Sequence, residues 1–113
     1  MDKVKANETF LCTVVNTNRV KGGRALIKGA KPAQLDAVCE IILNILKGAI
    51  ILPDAFLTTF RKHKTILRNL AKKCLKKLLR KKLLMKYFTI VRHLVAAALP
   101  ICGLLGSAGV LEV

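Results

Sequence analysis

The segment RKHKTILRNLAKKCLKKLLRKKLLMK, residues 61–86, is the most strongly patterned part of the sequence. Within it and just before it, apolar residues recur at intervals of three and four, which places them on one side of a helix. These residues are Phe56, Phe60, Leu67, Leu70, Cys74, Leu75 and Leu78. Cations fill the rest of the circumference. The pattern therefore predicts a cationic amphipathic helix.

The charge of this stretch is of one sign. It holds twelve of the 21 basic residues, and no Asp or Glu occurs between Asp54 and Glu112. Five of the cations follow one another at i, i+4 along a single predicted ridge, namely Lys64, Arg68, Lys72, Lys76 and Arg80. Like charges at this spacing destabilise a helix by about 0.2–0.5 kcal/mol per pair. A solvent-exposed helix face normally carries both acidic and basic residues, whereas a face with basic residues and no acids is complementary to a polyanion. The sequence thus predicts an anionic partner, either nucleic acid or lipid headgroups.

Composition indicates how nucleic acid would be bound. The net charge is +15, and the chain has one Tyr, four Phe and no Trp, too few aromatic side chains for a base-stacking platform. The expected mode is sequence-independent neutralisation of the phosphates of double-stranded DNA. The residues predicted to do this are Arg61, Lys62, Lys64, Arg68, Lys72, Lys73, Lys76, Lys77, Arg80, Lys81 and Lys82.

Start and stop signals predict an all-α fold, a small bundle of three to four amphipathic helices with a hydrophobic C-terminal tail. Pro32 suits a first helical position, Gly48 suits a helix end, and the next helix should begin near Asp54. Loss of the apolar phase after Lys72 predicts a kink or a new helix near Cys74. We therefore divide the chain into a flexible segment (1–31), a basic helical domain (32–93) and an apolar, Gly-rich tail (94–113).

The pair Gly22-Gly23 lies between charged residues in the predicted flexible segment. Two interpretations remain open for it. One is an ordinary loop. The other is a processing site, because an extended Gly-Gly backbone fits the narrow cleft of Gly-selective proteases.

Eighteen consecutive residues, 94–111, carry no charge. As a helix they would span about 27 Å, the lower limit for a bilayer crossing. The interpretations are a membrane-inserting or interfacial tail, an oligomer-packing surface and a loose apolar tail. The residues predicted to form this tail surface are Leu94, Leu99, Pro100, Gly103, Gly106 and Gly109. The alternative function is accordingly a membrane-active or tail-anchored protein that binds or disrupts anionic membranes.

No catalytic constellation appears in the sequence, so an enzyme is not expected and no cofactor is predicted. The four cysteines are 27, 35 and 28 residues apart and form no CxxC pair, and the two histidines are not placed near a second ligand. No metal site is predicted. Small buried thiols are the expected role of the cysteines.

Three runs carry a family resemblance: DAVCEIILNILKG (36–48), Leu52-Pro53 and RKHKTILRNLAKK (61–73). Together they resemble a small basic protein encoded by Polinton/Maverick elements and the related adintoviruses, over roughly residues 33 to 105. The resemblance implies a minor virion protein comparable to the adenoviral core protein X or mu, which condenses packaged DNA. It implies a location in the virion core and the host nucleus, whereas the membrane alternative implies the cytoplasmic face of an intracellular membrane. Residues 20–23 are similar to the sites cut by viral maturation proteases, which makes such a protease an implied partner.

Overall fold

A computed structural model describes residues 2–72 and 76–101, with the backbone alone at Ile101, and this part of the chain is helical without a strand. The all-α prediction is confirmed. The helices are α1 (Asp2–Ala6), α2 (Glu8–Asn16), α3 (Val20–Lys28), α4 (Pro32–Leu46), α5 (Asp54–Lys62), α6 (Lys64–Ala71), α7 (Lys77–Lys86) and α8 (Phe88–Ile101). The described residues thus form eight helices, and the predicted three to four were too few.

Three of the helix boundaries are single-residue breaks. Asn7 separates α1 from α2, His63 separates α5 from α6, and Tyr87 separates α7 from α8. All three have nearly the same backbone, with φ between −116° and −108° and ψ between 18° and 29°. This is the bridge region, which any residue can adopt and which redirects a helix without Gly or Pro. The helix axes of α7 and α8 consequently meet at 88°.

The start and stop of α4 match the sequence signals. Pro32 is its first residue, and Gln34 Oε1 accepts a hydrogen bond from the Lys31 N–H at 2.8 Å. Gly48, just past the helix end, has φ +78°, a left-handed conformation that favours glycine. α5 begins at Asp54, also as expected.

Helices α4 and α8 form the centre of the molecule. α4 packs against α1, α2, α6 and α8, while α8 also packs against α2, α3, α5 and α7. Val38, Ile41 and Ile42 of α4 are fully buried, as are Val91 and Leu94 of α8. Because α4 has neighbours on several sides, it buries a wider face than one amphipathic stripe would need.

The N-terminal segment contributes to the same core. Val4, Leu11, Val14 and Ile27, from α1, α2 and α3, are fully buried and belong to the hydrophobic cluster that includes α4 and α8. Residues 2–31 therefore differ from the flexible segment that the sequence suggested, and one core draws on all three predicted parts of the chain. These helices are only five to nine residues long, so each offers few apolar positions from which a helix could be predicted.

The first residues of the predicted tail lie inside the fold. Leu94 and Leu99 are fully buried in α8, while Pro100 is exposed within the same helix. The prediction that Leu94 and Leu99 face a membrane or another copy of the chain was wrong, since both side chains pack into the core of this chain. Their spacing with Val91, Val95 and Ala98 is the core stripe of a helix. Gly103, Gly106 and Gly109 lie outside the described residues.

Candidate polyanion-binding surface

The cations at the end of α5 and along α6 are exposed. They are Arg61, Lys62, Lys64 and Arg68, followed by Lys72 at the helix end. Leu67 and Leu70, at helical spacing on the other side of α6, are buried against the core. The buried leucines fix which side of α6 faces inward, so its cations project into solvent. This geometry leaves their charge available to an external anion.

The basic stretch is divided between helices. α6 ends at Ala71, α7 begins at Lys77, and the two helices pack against each other. A new helix thus begins shortly after Cys74, as the loss of the apolar pattern predicted. The row of cations from Lys64 to Arg80 is accordingly not one continuous ridge, and α5, α6 and α7 are separate helices. Lys76, Lys77 and Lys82 are exposed at α7, while Lys73 lies outside the described residues. The cations form a surface made of several short helices.

Arg80 faces the protein interior. Its Nη1 donates a hydrogen bond of 2.8 Å to Asp36 Oδ1 in α4, and its side chain is only 12% exposed. Its Nη2 lies 3.4 Å from the carbonyl oxygen of Lys72, and its Nε is shielded from solvent without an acceptor among the described residues. In this conformation the charge is already paired, and Arg80 joins α7 to α4 instead of projecting as a free phosphate ligand.

Lys81 also has a hydrogen-bond partner within the protein. It is half-buried, and its Nζ donates a hydrogen bond of 2.9 Å to the carbonyl oxygen of Lys28 at the end of α3. A cation near the C-terminus of a helix also complements the helix dipole. Lys81 thus connects α7 to α3, and it is less available to an external anion than its exposed neighbours.

Three cations that the prediction left out of the surface lie on α3. Lys21, Arg24 and Lys28 are exposed, and α3 packs against α7. The sequence showed their charge, but Gly22-Gly23 suggested a loop, so they were not expected to occupy a fixed place beside the basic stretch. They extend the positive surface from α7 onto α3.

The Gly22-Gly23 pair lies within α3. Gly22 is exposed, whereas Gly23 is buried, and a Cβ atom added to Gly23 would overlap the ring of Phe88 in α8. Gly23 therefore permits a close approach between α3 and α8. A protease that requires an extended Gly-Gly backbone would first have to unwind α3.

Two aromatic rings meet where helices break. The ring centroids of His63 and Tyr87 are 6.3 Å apart with planes tilted by 50°, and Lys86 Nζ lies 5.5 Å from the Tyr87 centroid. Tilted ring pairs and cations over rings are both attractive arrangements. The contacts join the α5–α6 junction to the α7–α8 junction, which gives His63 a packing role.

Arg92 is a further cation with internal partners. Its Nε donates to the carbonyl oxygen of Val15 at 2.8 Å, and its Nη2 donates to Asn18 Oδ1 at 2.7 Å. These bonds satisfy a carbonyl near the end of α2 and hold the α2–α3 loop against α8.

The two cysteines in the described part of the chain are free thiols. Burial raises the pKa of the Cys39 thiol to about 11, with Asp36 adding to the rise and Arg80 opposing it. Burial also raises the pKa of Cys12, assisted by the Glu8 carboxylate. Both thiols are therefore protonated near neutral pH. Within residues 2–72 and 76–101, no three His, Cys, Asp or Glu side chains cluster as a metal site would require.

Among the described helices, none is by itself both long and apolar enough to cross a bilayer. α7 and α8 together reach that length and composition, but they are sharply bent, and much of α8 is buried within the protein.

Comparison with known proteins gives no relative. No family model, curated protein or solved structure matches this chain.

Replacing Arg80 with glutamine is expected to lower the free energy of unfolding by about 1–2 kcal/mol. Hydrogen bonds to charged groups contribute roughly 1.5–3 kcal/mol, and we lower that range because Asp36 is 40% exposed and water screens the pair. Urea unfolding measures the change. The matched control is Arg68→Gln on exposed α6, which should change stability by less than about 0.5 kcal/mol. Equal stabilities of the two variants would contradict the structural role of Arg80.

Proposed function

We propose that this protein binds double-stranded DNA through its phosphates, without reading base sequence, and that it condenses the DNA it coats. The observation that supports this most is the exposure of the cations on α5 and α6, in a stretch that contains no acid. Folding buries Leu67 and Leu70 of α6, partly buries the apolar side chains of α5, and leaves the charge in solvent. A phosphate backbone would neutralise that charge and release its own counterions.

The surface is suited to contact with the phosphate backbone of DNA and not with the edges of its bases. Its cations are carried by several short helices, so they are spread over the molecule instead of being aligned along one recognition helix. Tyr87, the chain's one tyrosine, is half-buried and packed against His63. Phosphate contacts fix position but carry no sequence information. The arrangement supports non-specific binding, which suits packaging.

The ligands we assign differ from those that the sequence suggested. The described, exposed cations of the set are Arg61, Lys62, Lys64, Arg68, Lys72, Lys76, Lys77 and Lys82, and Lys21, Arg24 and Lys28 of α3 extend the surface. Arg80 and Lys81 are assigned internal roles because of their hydrogen bonds. Lys73 stays a sequence-based candidate.

Binding of the full-length protein to two fluorescent duplexes of equal length and unrelated sequence tests the proposal. With ~6–9 phosphates neutralised, the logarithm of the affinity should fall with the logarithm of the salt concentration at a slope of about −5 to −8. The two duplexes should bind within about threefold of each other. A salt-independent affinity would contradict phosphate binding, and a large preference for one duplex would contradict non-specific recognition.

The family resemblance supports a biological setting for this activity. We propose that the protein is a minor component of a virion core and acts on packaged DNA in the nucleus of the host. Mass spectrometry of purified particles tests this, because it gives both the location and the mature termini. Peptides ending at Gly23 would support processing by a viral maturation protease, whereas an intact peptide across Gly22-Gly23 in the particle would contradict it.

A further inference from the structure

The outward side of α7 exposes two neighbouring leucines. Leu78 is 68% exposed and Leu79 is 47% exposed, while Leu84, on the opposite side of the helix, is fully buried. Lys82 and Lys86 are exposed on the same outward side. We call Leu78, Leu79, Lys82 and Lys86 the α7 outer face. Single exposed apolar residues are common, but an adjacent pair surrounded by cations indicates an interaction surface.

A cavity continues the apolar surface beside Leu78. It lies between the start of α4 and α7, has a volume of about 270 Å³, and is lined on its apolar side by Pro32, Leu35 and Leu78. Lys77 and Lys81 line the same cavity, together with Asp36 and Arg80, whose charges pair with each other. An apolar depression bordered by cations is complementary to a molecule that has both a hydrocarbon part and a negative charge.

Three kinds of partner differ in how they fit this face. A second copy of the chain would bring the same cations against Lys82 and Lys86, and like charges repel. A DNA phosphate backbone would neutralise the lysines but offer no apolar surface to the leucines. An anionic bilayer satisfies both, because its headgroups attract lysine and its interfacial region takes up leucine.

We infer that the α7 outer face docks on an anionic phospholipid bilayer. Leu78 and Leu79 enter the interfacial region, while Lys82, Lys86 and the nearby Lys76 contact the headgroups. The apolar residues of α8 remain in the protein's own core when it docks. This activity goes beyond DNA binding, because it depends on Leu78 and Leu79, which have no role in the proposed contacts with DNA.

Sedimentation of the full-length protein with vesicles tests the inference. Vesicles of phosphatidylcholine alone are compared with vesicles in which roughly a third of the lipid is phosphatidylserine, whose charge attracts cationic residues. Wild type should bind the anionic vesicles at least about tenfold more strongly. The double variant Leu78→Gln/Leu79→Gln should lose about tenfold or more of that binding, because it removes the inserted apolar area.

Two controls separate this result from other causes. Ile51→Gln alters an isolated residue that is 81% exposed and should leave vesicle binding within about twofold of wild type. The double variant should also bind DNA within about twofold of wild type, so a failure of vesicle docking is distinguishable from a failure of DNA binding. Wild-type vesicle affinity in the double variant, or equal wild-type binding to both vesicle types, would overturn the inference.

A second variant reports insertion directly. The chain contains no tryptophan, so Leu78→Trp introduces a single indole fluorophore. Its emission should shift to shorter wavelength with anionic vesicles. An unchanged emission spectrum while the protein co-sediments with the vesicles would overturn the placement of Leu78 in the bilayer interface.

Discussion

Replacing Gly23 with alanine is expected to lower the free energy of unfolding by about 1–2 kcal/mol, although alanine is intrinsically the better helix former. The added Cβ would overlap the ring of Phe88, which is only 2% exposed and held in the core. Overpacking of this kind costs about 1–3 kcal/mol and sometimes more. The helical preference for alanine returns at most about 1 kcal/mol. Urea or thermal unfolding followed by circular dichroism measures the net change.

The neighbouring glycine provides the matched control. A Cβ on Gly22 would lie 3.3 Å from Thr17 Cγ2, a tight contact at an exposed position where a small shift suffices. Gly22→Ala should therefore leave stability unchanged or raise it by up to about 1 kcal/mol. If both substitutions had the same small effect, α3 would not be packed on α8 as described. A flexible loop at this position would give that result.

Removing four exposed cations from α5 and α6 is expected to weaken DNA binding about a hundredfold or more at ~0.1 M salt. The variant carries glutamine at Arg61, Lys64, Arg68 and Lys72, all exposed. At this salt concentration each cation withdrawn from a phosphate lowers the affinity by a factor approaching ten, because fewer counterions are released. Fluorescence anisotropy with a short duplex measures the affinity, and thermal unfolding checks that the fold is retained.

The control for this variant has the same net charge. Glutamine at Lys3, Lys5, Arg19 and Lys47 also removes four cations, lowering the net charge from +15 to +11 as in the first variant. These residues lie outside the basic stretch of the sequence and belong to neither α6 nor α7, although Lys3 borders a depression that Ala71 and Lys77 also line. DNA affinity should fall by less than about tenfold, through the general field of the protein. Equal losses in the two variants would mean that net charge, and not a particular surface, determines binding.

The parts of the fold that the sequence predicted were those with local markers. Pro32 marks the start of α4 because it lacks a backbone N–H, and Gly48 marks its end because it adopts a positive φ. Both effects are independent of tertiary structure. The breaks at His63 and Tyr87 had no such marker, because the bridge conformation is open to any residue. Their positions depend on how the helices wrap one core.

The candidate site was predictable in composition but not in detail. Arg68 and Arg80 have similar surroundings in the sequence, but in the folded protein Arg68 is exposed and Arg80 is paired with Asp36. Nothing in the sequence indicated this pair, because Asp36 lies 44 residues before Arg80. Leu94 and Leu99 likewise fit a membrane or a core equally well until α8 is seen among its neighbours. One sequence signal pointed to the α7 outer face. The apolar pattern loses its phase along α7 because leucines lie on both sides of that helix.

We propose that exposed cations on α5 and α6 hold DNA phosphates, and the salt dependence of DNA affinity is the decisive measurement. The slope should be about −5 to −8 for the wild type and roughly three to four units shallower for the variant with glutamine at Arg61, Lys64, Arg68 and Lys72. The equal-charge control should stay within about one unit of the wild type. The same slope for all three proteins would contradict the claim.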